Sequence, residues 1–543
     1  MSEPAYCIGV DFGTESGRAL LLDARTGEER AVSVVPYPSA VIDATLPDTG
    51  EELDADWALQ DPDDWMHVLE EGLPDVLRRA GVDAAAVRGL GVDFTSCTVL
   101  PVDAEGEPLC RDERYRGRPH AWPKLWKHHA AQAVADRLTE VAGEREEAFL
   151  ARYGGRISSE WYFPKVIDVW NEDREIYDAA SAFVEATDWI IWQLTGELRR
   201  CSCAAGYKAF WSDEEGLPST EYFKAAYPGF DDPSAKLGTE FHPLGTNAGT
   251  VTADAAERFG LGTEVSVAVG NVDSFVSVPG AGVAEPGVIV MAVGTSICQM
   301  VVDEEEVRLP GITGVTRDGI VPGRFGYEAG QTAVGDMLAW FVRLLGDDAD
   351  YDELEAEAEK YAPGETGLVV LDWFNGNRSI LGDADLSGAI LGLSLRTRRS
   401  EIYRAMLESI AFGNRRIVDN FAEHGVEVKR IVACGGIADK SPLTMQLLAD
   451  VSGRPVHVPD AGEVAGRGAA LFGAVAAGVY DDIGAAIGAT RPDDARVYEP
   501  DAEAGKAYDR VYAIYSSLYD LLGRTEVGLM HDLKRIRGGK DDA

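Results

Sequence analysis

The sequence predicts an α/β protein of two domains built on one plan, and three observations predict it. Apolar strands that stop at a Gly-Thr pair occur twice, in residues 8–18 (IGVDFGTESGR) and 288–296 (VIVMAVGTS). A further strand at 430–433 runs into Gly435-Gly436 and then a helical pattern, a switch suited to a nucleotide at a helix start. The chain has 543 residues, 45% of them hydrophobic, more than the roughly 250–300 residues that one core supports. Residues 1–284 and 285–543 are therefore expected to form the two domains, the second ending in a peripheral tail after Arg491.

Composition narrows the partners. Against 50 basic residues stand 92 acidic ones, a net charge of −42, and only 12 of the basic residues are Lys. Nucleic acid and anionic membrane are poor partners for such a surface. A salt-rich cytoplasm and a biased genome composition both account for the acidic, Lys-poor pattern. Seven Cys, an odd count without a C-x-x-C pair, fit a reducing compartment, and Cys7, Cys298 and Cys434, in apolar strand-like surroundings, read as small buried hydrophobes. His128 and His129 are adjacent and cannot share a helix face, so no zinc site is expected. The opening MSEPAYCIGVD has no basic stretch before its apolar run, and the longest apolar stretches are broken by Gly and polar residues. A cytoplasmic protein without a membrane segment is expected, with its assembly open, a homodimer included.

In chain order, residues 8–18 place Asp11, Gly13, Thr14 and Ser16 at a strand end. Backbone N–H groups and two hydroxyls there suit phosphate oxygens, and Asp11 suits a metal, although an ordinary hairpin turn explains the same residues. Residues 18–23 read as a second strand and Thr26-Gly27 as its turn, so the first unit is a β-meander. A Pro- and Asp-rich loop over 36–64 ends in the helix start Asp61-Pro62-Asp63-Asp64, and the apolar spacing predicts a helix over 65–80. The strand over 87–95 contains GVDFTSCT, an echo of GVDFGTES, which predicts neighbouring strands delivering polar groups to one sheet edge.

Residues 111–150 read as helical, with Trp122, Trp126 and His129 repeating at helical spacing and Lys127 as a minor candidate. Helices are expected over 158–170 and 183–194. Lys208, in a Lys-poor chain and beside Tyr207, Phe210 and Trp211, is either functional or a Lys snorkelling from a strand. A strand from Val265 then runs into Asn271, Asp273 and Ser274. In the second half a helix over 331–345 is expected to start beside Glu328, followed by a polar loop over 373–378 and a long helix over 400–424. The Gly- and Ala-rich helix over 464–479 is suited to packing closely on a sheet.

Together the two Gly-Thr hairpins, an Asp on a strand end near the domain boundary and the late Gly-Gly helix start resemble the actin-like ATPase architecture. In it, two RNase H-like domains face each other across a nucleotide cleft. The segments GVDFTSCT, PHAWPKLWKHHAAQ, YGGRISSEWYFPK, EATDWIIWQLTG, CAAGYKAFW, GNVDS, GTSIC and GGIADKSPLTMQLLAD make the chain similar, nearly end to end, to the FGGY carbohydrate kinases. Within that family it looks like the members that phosphorylate ribulose in L-arabinose breakdown. Gln299 and Ser441 depart from the pattern, at positions where His and Asn are frequent.

The resemblance implies ATP-dependent phosphorylation of L-ribulose, with D-ribulose as a further substrate, at the terminal hydroxyl, and Mg2+ as a cofactor beside ATP. It implies Asp273 as the catalytic base and Ser96, Lys208, Asp273 and Glu328 as the residues that hold the sugar. Asp11 would hold Mg2+ through water. Gly13, Thr14, Ser16, Arg18, Gly294 and Thr295 would face the nucleotide's phosphates. Gly435, Gly436, Lys440 and Gln446 would surround the adenine, Gln446 being equally readable as a packing residue. Two rival readings are another pentulose or polyol kinase of the family, such as one acting on xylulose, and a non-metabolic actin-like ATPase.

Overall fold

The computed structural model describes residues 4–537 except 48, 55, 347 and 348. Residues 1–3, on which the expectation of a missing leader partly rests, lie outside the described residues.

The chain begins with the expected meander of β1 (Tyr6–Phe12), β2 (Ser16–Asp23) and β3 (Glu28–Pro36). From Cys7 onward β1 is buried along its whole length, because both faces of the sheet are covered. The helix Pro62–Ala80 starts where the sequence signals it. The Asp61 side chain accepts from the Asp63 N–H, Pro62 occupies the first turn, and Gly81 ends the helix in a left-handed conformation. Its Trp65, Val68, Leu69, Leu73 and Val76 are fully buried against the sheet. β4 (Val87–Phe94) then returns parallel to β1. The short pair β5 (Val99–Val102) and β6 (Ala182–Glu185) leads into a mainly helical region with an aromatic core of its own. β7 (Asn247–Thr250), β8 (Ser266–Ala268) and β9 (Asn271–Val272) complete a sheet of order β3-β2-β1-β4-β8-β7, with β9 beside β4.

The second half repeats the plan with β10 (Val288–Val293), β11 (Ile297–Asp303), β12 (Gly314–Arg317) and β13 (Phe325–Gln331). Among the described residues β14 (Val369–Leu371) pairs with β15 (Ala389–Leu391) alone. After them come β16 (Arg430–Cys434), β17 (Val456–Pro459) and β18 (Asp494–Tyr498), in a sheet of order β12-β13-β11-β10-β16-β17-β18. As β1 does with β2 and β4, β10 pairs antiparallel with β11 and parallel with β16.

A helix from the second half reaches across to the first. The small-residue helix Val464–Ala476 packs on the first sheet, not the second, and its Ala469 to Ala474 share a core with β1 and β4. The approach is so close that a Cβ at Gly9 would lie 1.8 Å from the Gly466 carbonyl oxygen. Only glycine fits there.

Several expectations are corrected. Within 111–150 only Gln132–Glu144 is an α-helix. Pro119 and Pro123 break the stretch before it, the second holding Trp122 extended, so Trp122, Trp126 and His129 do not form a helical stripe. Residues 183–185 belong to β6, and the helix begins at Ala186. Lys208 ends the helix Ser202–Lys208 and is not on a strand. The helix after β13 begins at Gly335, while Gln331 is still in the strand. The expected peripheral tail is built in. β18 edges the second sheet, and buried Tyr508, Tyr515 and Tyr519 line one face of the helix Ala502–Asp520, with Tyr515 OH donating to Asp372 Oδ1 at 2.7 Å. All seven cysteines are free, and six of them are buried. No helix among the described residues is long and apolar enough to cross a membrane.

Candidate active site

Strand register assembles the first group of candidate side chains. Across the parallel pair β1 and β4, Asp11 stands opposite Asp93 and Phe12 opposite Phe94, the two rings stacking at 5.0 Å. β9 continues the edge, with Val272 opposite Phe94, so that Asp273 emerges beside them as the first residue of the helix Asp273–Gly280. Three carboxylates thus converge at one sheet edge. Asp273 Oδ1 accepts the Ser274 N–H at 2.6 Å. Burial pushes the Asp273 carboxyl up to about 7, Asp11 and Glu328 adding to the rise while the Ser274 N–H and Lys208 oppose it.

Asp93 was not singled out from the sequence, although the repeated GVDF was the signal that marked it. It is fully buried, and neither of its carboxylate oxygens has a hydrogen-bond partner among the described residues. Burial first, then the charges of Asp11 and Asp273, hold it well above the ordinary carboxylate range. Arg18, expected on the phosphates, places Nη1 3.2 Å from Asp11 Oδ2 and Nε 3.5 Å from Glu463 Oε2.

The first Gly-Thr turn is tethered from three directions. Gly13 N–H donates to the Ser16 carbonyl at 3.0 Å, which closes the turn and sets Ser16 at the head of β2. Tyr37 OH donates to the Gly13 carbonyl at 3.0 Å and Gln60 Nε2 to the Thr14 carbonyl at 2.8 Å. Trp126 Nε1 donates to Thr14 Oγ1 at 3.1 Å. An indole N–H only donates, so the Thr14 hydroxyl hydrogen is left to point elsewhere. The second turn is closed alike, Gly294 N–H donating to the Ser296 carbonyl at 2.9 Å, with Gly294 and Thr295 exposed. Cys434 stands opposite Ala292 across β10 and β16, which brings Gly435-Gly436 level with this turn. Lys440 is exposed close by, at the end of the helix Gly436–Lys440. Gln446 donates instead to Asp450 Oδ1 at 2.7 Å and to the Glu499 carbonyl at 2.9 Å, as a packing residue does.

Between the halves lies a buried ion pair. Lys208 Nζ, from the first half, is 2.7 Å from Glu328 Oε2 on β13, and both side chains are less than a tenth exposed. Burial alone would lower the Lys208 pKa, but Glu328 outweighs it and the ammonium is held charged. Ser96 lies in the turn after β4, where Cys97 is left-handed at φ 58°. Lys165 secures that turn by donating to the carbonyls of Cys97 at 2.6 Å, Leu125 at 2.8 Å and Lys124 at 3.3 Å. The two departures from the family pattern are internal contacts. Gln299 Nε2 donates to Asn414 Oδ1 at 2.8 Å, and Ser441 caps the helix Pro442–Ser452.

Sequence and fold comparisons agree on the family. The FGGY family of carbohydrate kinases matches with its N-terminal domain over residues 6–280 and its C-terminal domain over 289–477. The chain is similar to a ribulokinase of Geobacillus thermodenitrificans at 48% identity, covering 99% of this chain and 98% of that protein. It is similar at 48% to a ribulokinase of Shouchella clausii, covering 98% of each. Its fold is similar to that of a solved xylulose kinase from Rhodospirillum rubrum, with a TM-score of 0.79, 26% identity and coverage of 97% and 100%. The two RNase H-like domains expected from the resemblance are therefore borne out. The chain belongs to the FGGY family of carbohydrate kinases.

Proposed function

We propose that the protein phosphorylates L-ribulose at its terminal hydroxyl with ATP, and accepts D-ribulose as a further substrate. The observation that carries this reading is 48% identity, over 98–99% of the chain, to proteins named ribulokinase. The arrangement at the seam of the halves supports it chemically. Asp273 accepts the proton of the sugar hydroxyl as that oxygen attacks the γ-phosphorus, and the bond to the β–γ bridging oxygen breaks to release ADP. The charged pair of Lys208 and Glu328 binds sugar hydroxyls through charge-assisted hydrogen bonds, and Ser96 adds a neutral one. A polyol with a hydroxyl turned the wrong way leaves one of these buried groups unpaired, which is the basis of selection.

The residues present fit Mg2+. Asp93 has two buried oxygens without partners among the described residues, Asp11 stands opposite it in register, and oxygen donors are what this ion takes. Asp11 would hold it through water, and when bound it neutralises charge on the phosphates. Gly13, Thr14, Ser16 and Arg18 on one side, with Gly294 and Thr295 on the other, orient the phosphates, while Gly435, Gly436 and Lys440 receive the base. On this reading the enzyme works in the cytoplasm on a small sugar, which its −42 charge favours over polyanionic partners.

A coupled ADP-release assay over pentuloses and polyols tests the proposal. Stimulation by L-ribulose above the no-sugar background is expected. Stimulation by xylulose or glycerol alone would overturn it.

A further inference from the structure

The roles assigned above leave two charged side chains at the same seam unused. Glu160 precedes the helix Tyr162–Glu172 in the first half, and Arg378 follows the turn at 373–377 in the second. Their side chains are 19% and 21% exposed, with Arg378 Nη2 at 3.7 Å from Glu160 Oε1. His129 Nε2 lies 3.9 Å from the same oxygen. Both gaps are longer than a hydrogen bond. Among the described residues no hydrogen bond is made to the Glu160 carboxylate, so two opposite charges face each other without closing.

The guanidinium is placed, not loose. A Cβ at Gly330 would lie 3.4 Å from Arg378 Cδ and 3.5 Å from Nη1, so the bare glycine on β13 lets the side chain lie against the strand two residues from Glu328. The groups also share one electrostatic neighbourhood. Glu160 acts on both Lys208 and Arg378, and Glu328 acts on both Arg378 and Asp273.

We infer that Glu160 and Arg378 form a second clamp for a hydroxyl of the sugar, one jaw from each half, in addition to Lys208 and Glu328. A hydroxyl oxygen about 2.8 Å from both groups fits beside a 3.7 Å gap, accepting from the guanidinium and donating to the carboxylate. Such a hydroxyl satisfies both charges, and an epimer or deoxy sugar leaves them facing each other unfilled. The inference rests on the sugar-kinase reading of this site and deepens it by naming further specificity-determining residues.

The test compares wild type with Glu160→Gln and Arg378→Lys on whichever ketose the wild type phosphorylates, and on its singly deoxygenated analogues. The sugar KM is expected to rise about 10–100-fold, the size of one charge-assisted hydrogen bond, with the ATP KM unchanged. One analogue, lacking the clamped hydroxyl, should be used no worse by the variants than by wild type. A sugar KM within about twofold of wild type, or an equal loss on every analogue, overturns the clamp. If one variant does not fold, the other carries the comparison. Phosphorylation of a ketose other than ribulose defeats the proposed substrate but leaves the clamp to be judged on that sugar, and absence of any sugar phosphorylation defeats both.

Discussion

In the first sheet, the residue two before the turn glycine is Asp11, and across the parallel pair it meets Asp93; in the second, the same position is Ala292, and it meets Cys434. The two turns close with the same hydrogen bond, at 3.0 Å in one and 2.9 Å in the other. Four residues before the turn, the first sheet has Gly9 under the backbone of Gly466, and the second has fully buried Val290. Duplicated scaffolds have thus been divided by side chain. One jaw carries the carboxylates and is backed by helix backbone, while the other offers an exposed turn of backbone donors on a conventional apolar core. Asp273, between them, owes its raised pKa first to burial, to which Asp11 of the charged jaw adds.

The largest effect is expected at the seam. Asp273→Asn should lower kcat by about 10²–10⁴-fold while ATP binding, followed by calorimetry, persists. Turnover near wild type would remove Asp273 from the role of base. Next comes pH. As the proposed base Asp273 would act in its ionised form, and burial beside Asp11 places its pKa at about 7, so kcat/KM should fall as pH drops through about 7 and level off above it. A profile flat from pH 5 to 8 would contradict the coupling of this base to the charged jaw. The smallest effect separates the backs of the jaws. Gly9→Ala drives a methyl into a carbonyl and should destabilise by about 1–3 kcal/mol through overpacking. Val290→Ala should cost about as much by leaving a cavity. Thermal melts should then show that adding a methyl harms the first sheet and removing two harms the second. A neutral Gly9→Ala would mean that the helix Val464–Ala476 does not press on the sheet as described.

What the sequence disclosed follows the range of the interaction. The Gly-Thr turns, the capped helix after Asp61 and the strand ends carrying Asp11 and Asp273 are set by residues a few positions apart, and they were legible. The GVDF echo made the pairing of β1 with β4 legible, but the burial of Asp93 and its lack of partners among the described residues, which set it apart, depend on everything packed around that edge. Trp122, Trp126 and His129 kept helical spacing while Pro119 and Pro123 removed the hydrogen bonds a helix needs. Lys208 was recognisable as unusual, but its partner Glu328 lies 120 positions away. The helix Val464–Ala476 showed its small-residue face, though nothing local named the first sheet as its seat. Its departure from the second half was invisible for the same reason.

The division of labour between the jaws is tested most directly by ATP affinity with and without Mg2+, measured on Asp11→Asn and on Ala292→Ser. Mg2+ is expected to strengthen ATP binding in wild type and in Ala292→Ser, and this strengthening is expected to be lost in Asp11→Asn. Equal Mg2+ dependence in the two variants would contradict that division.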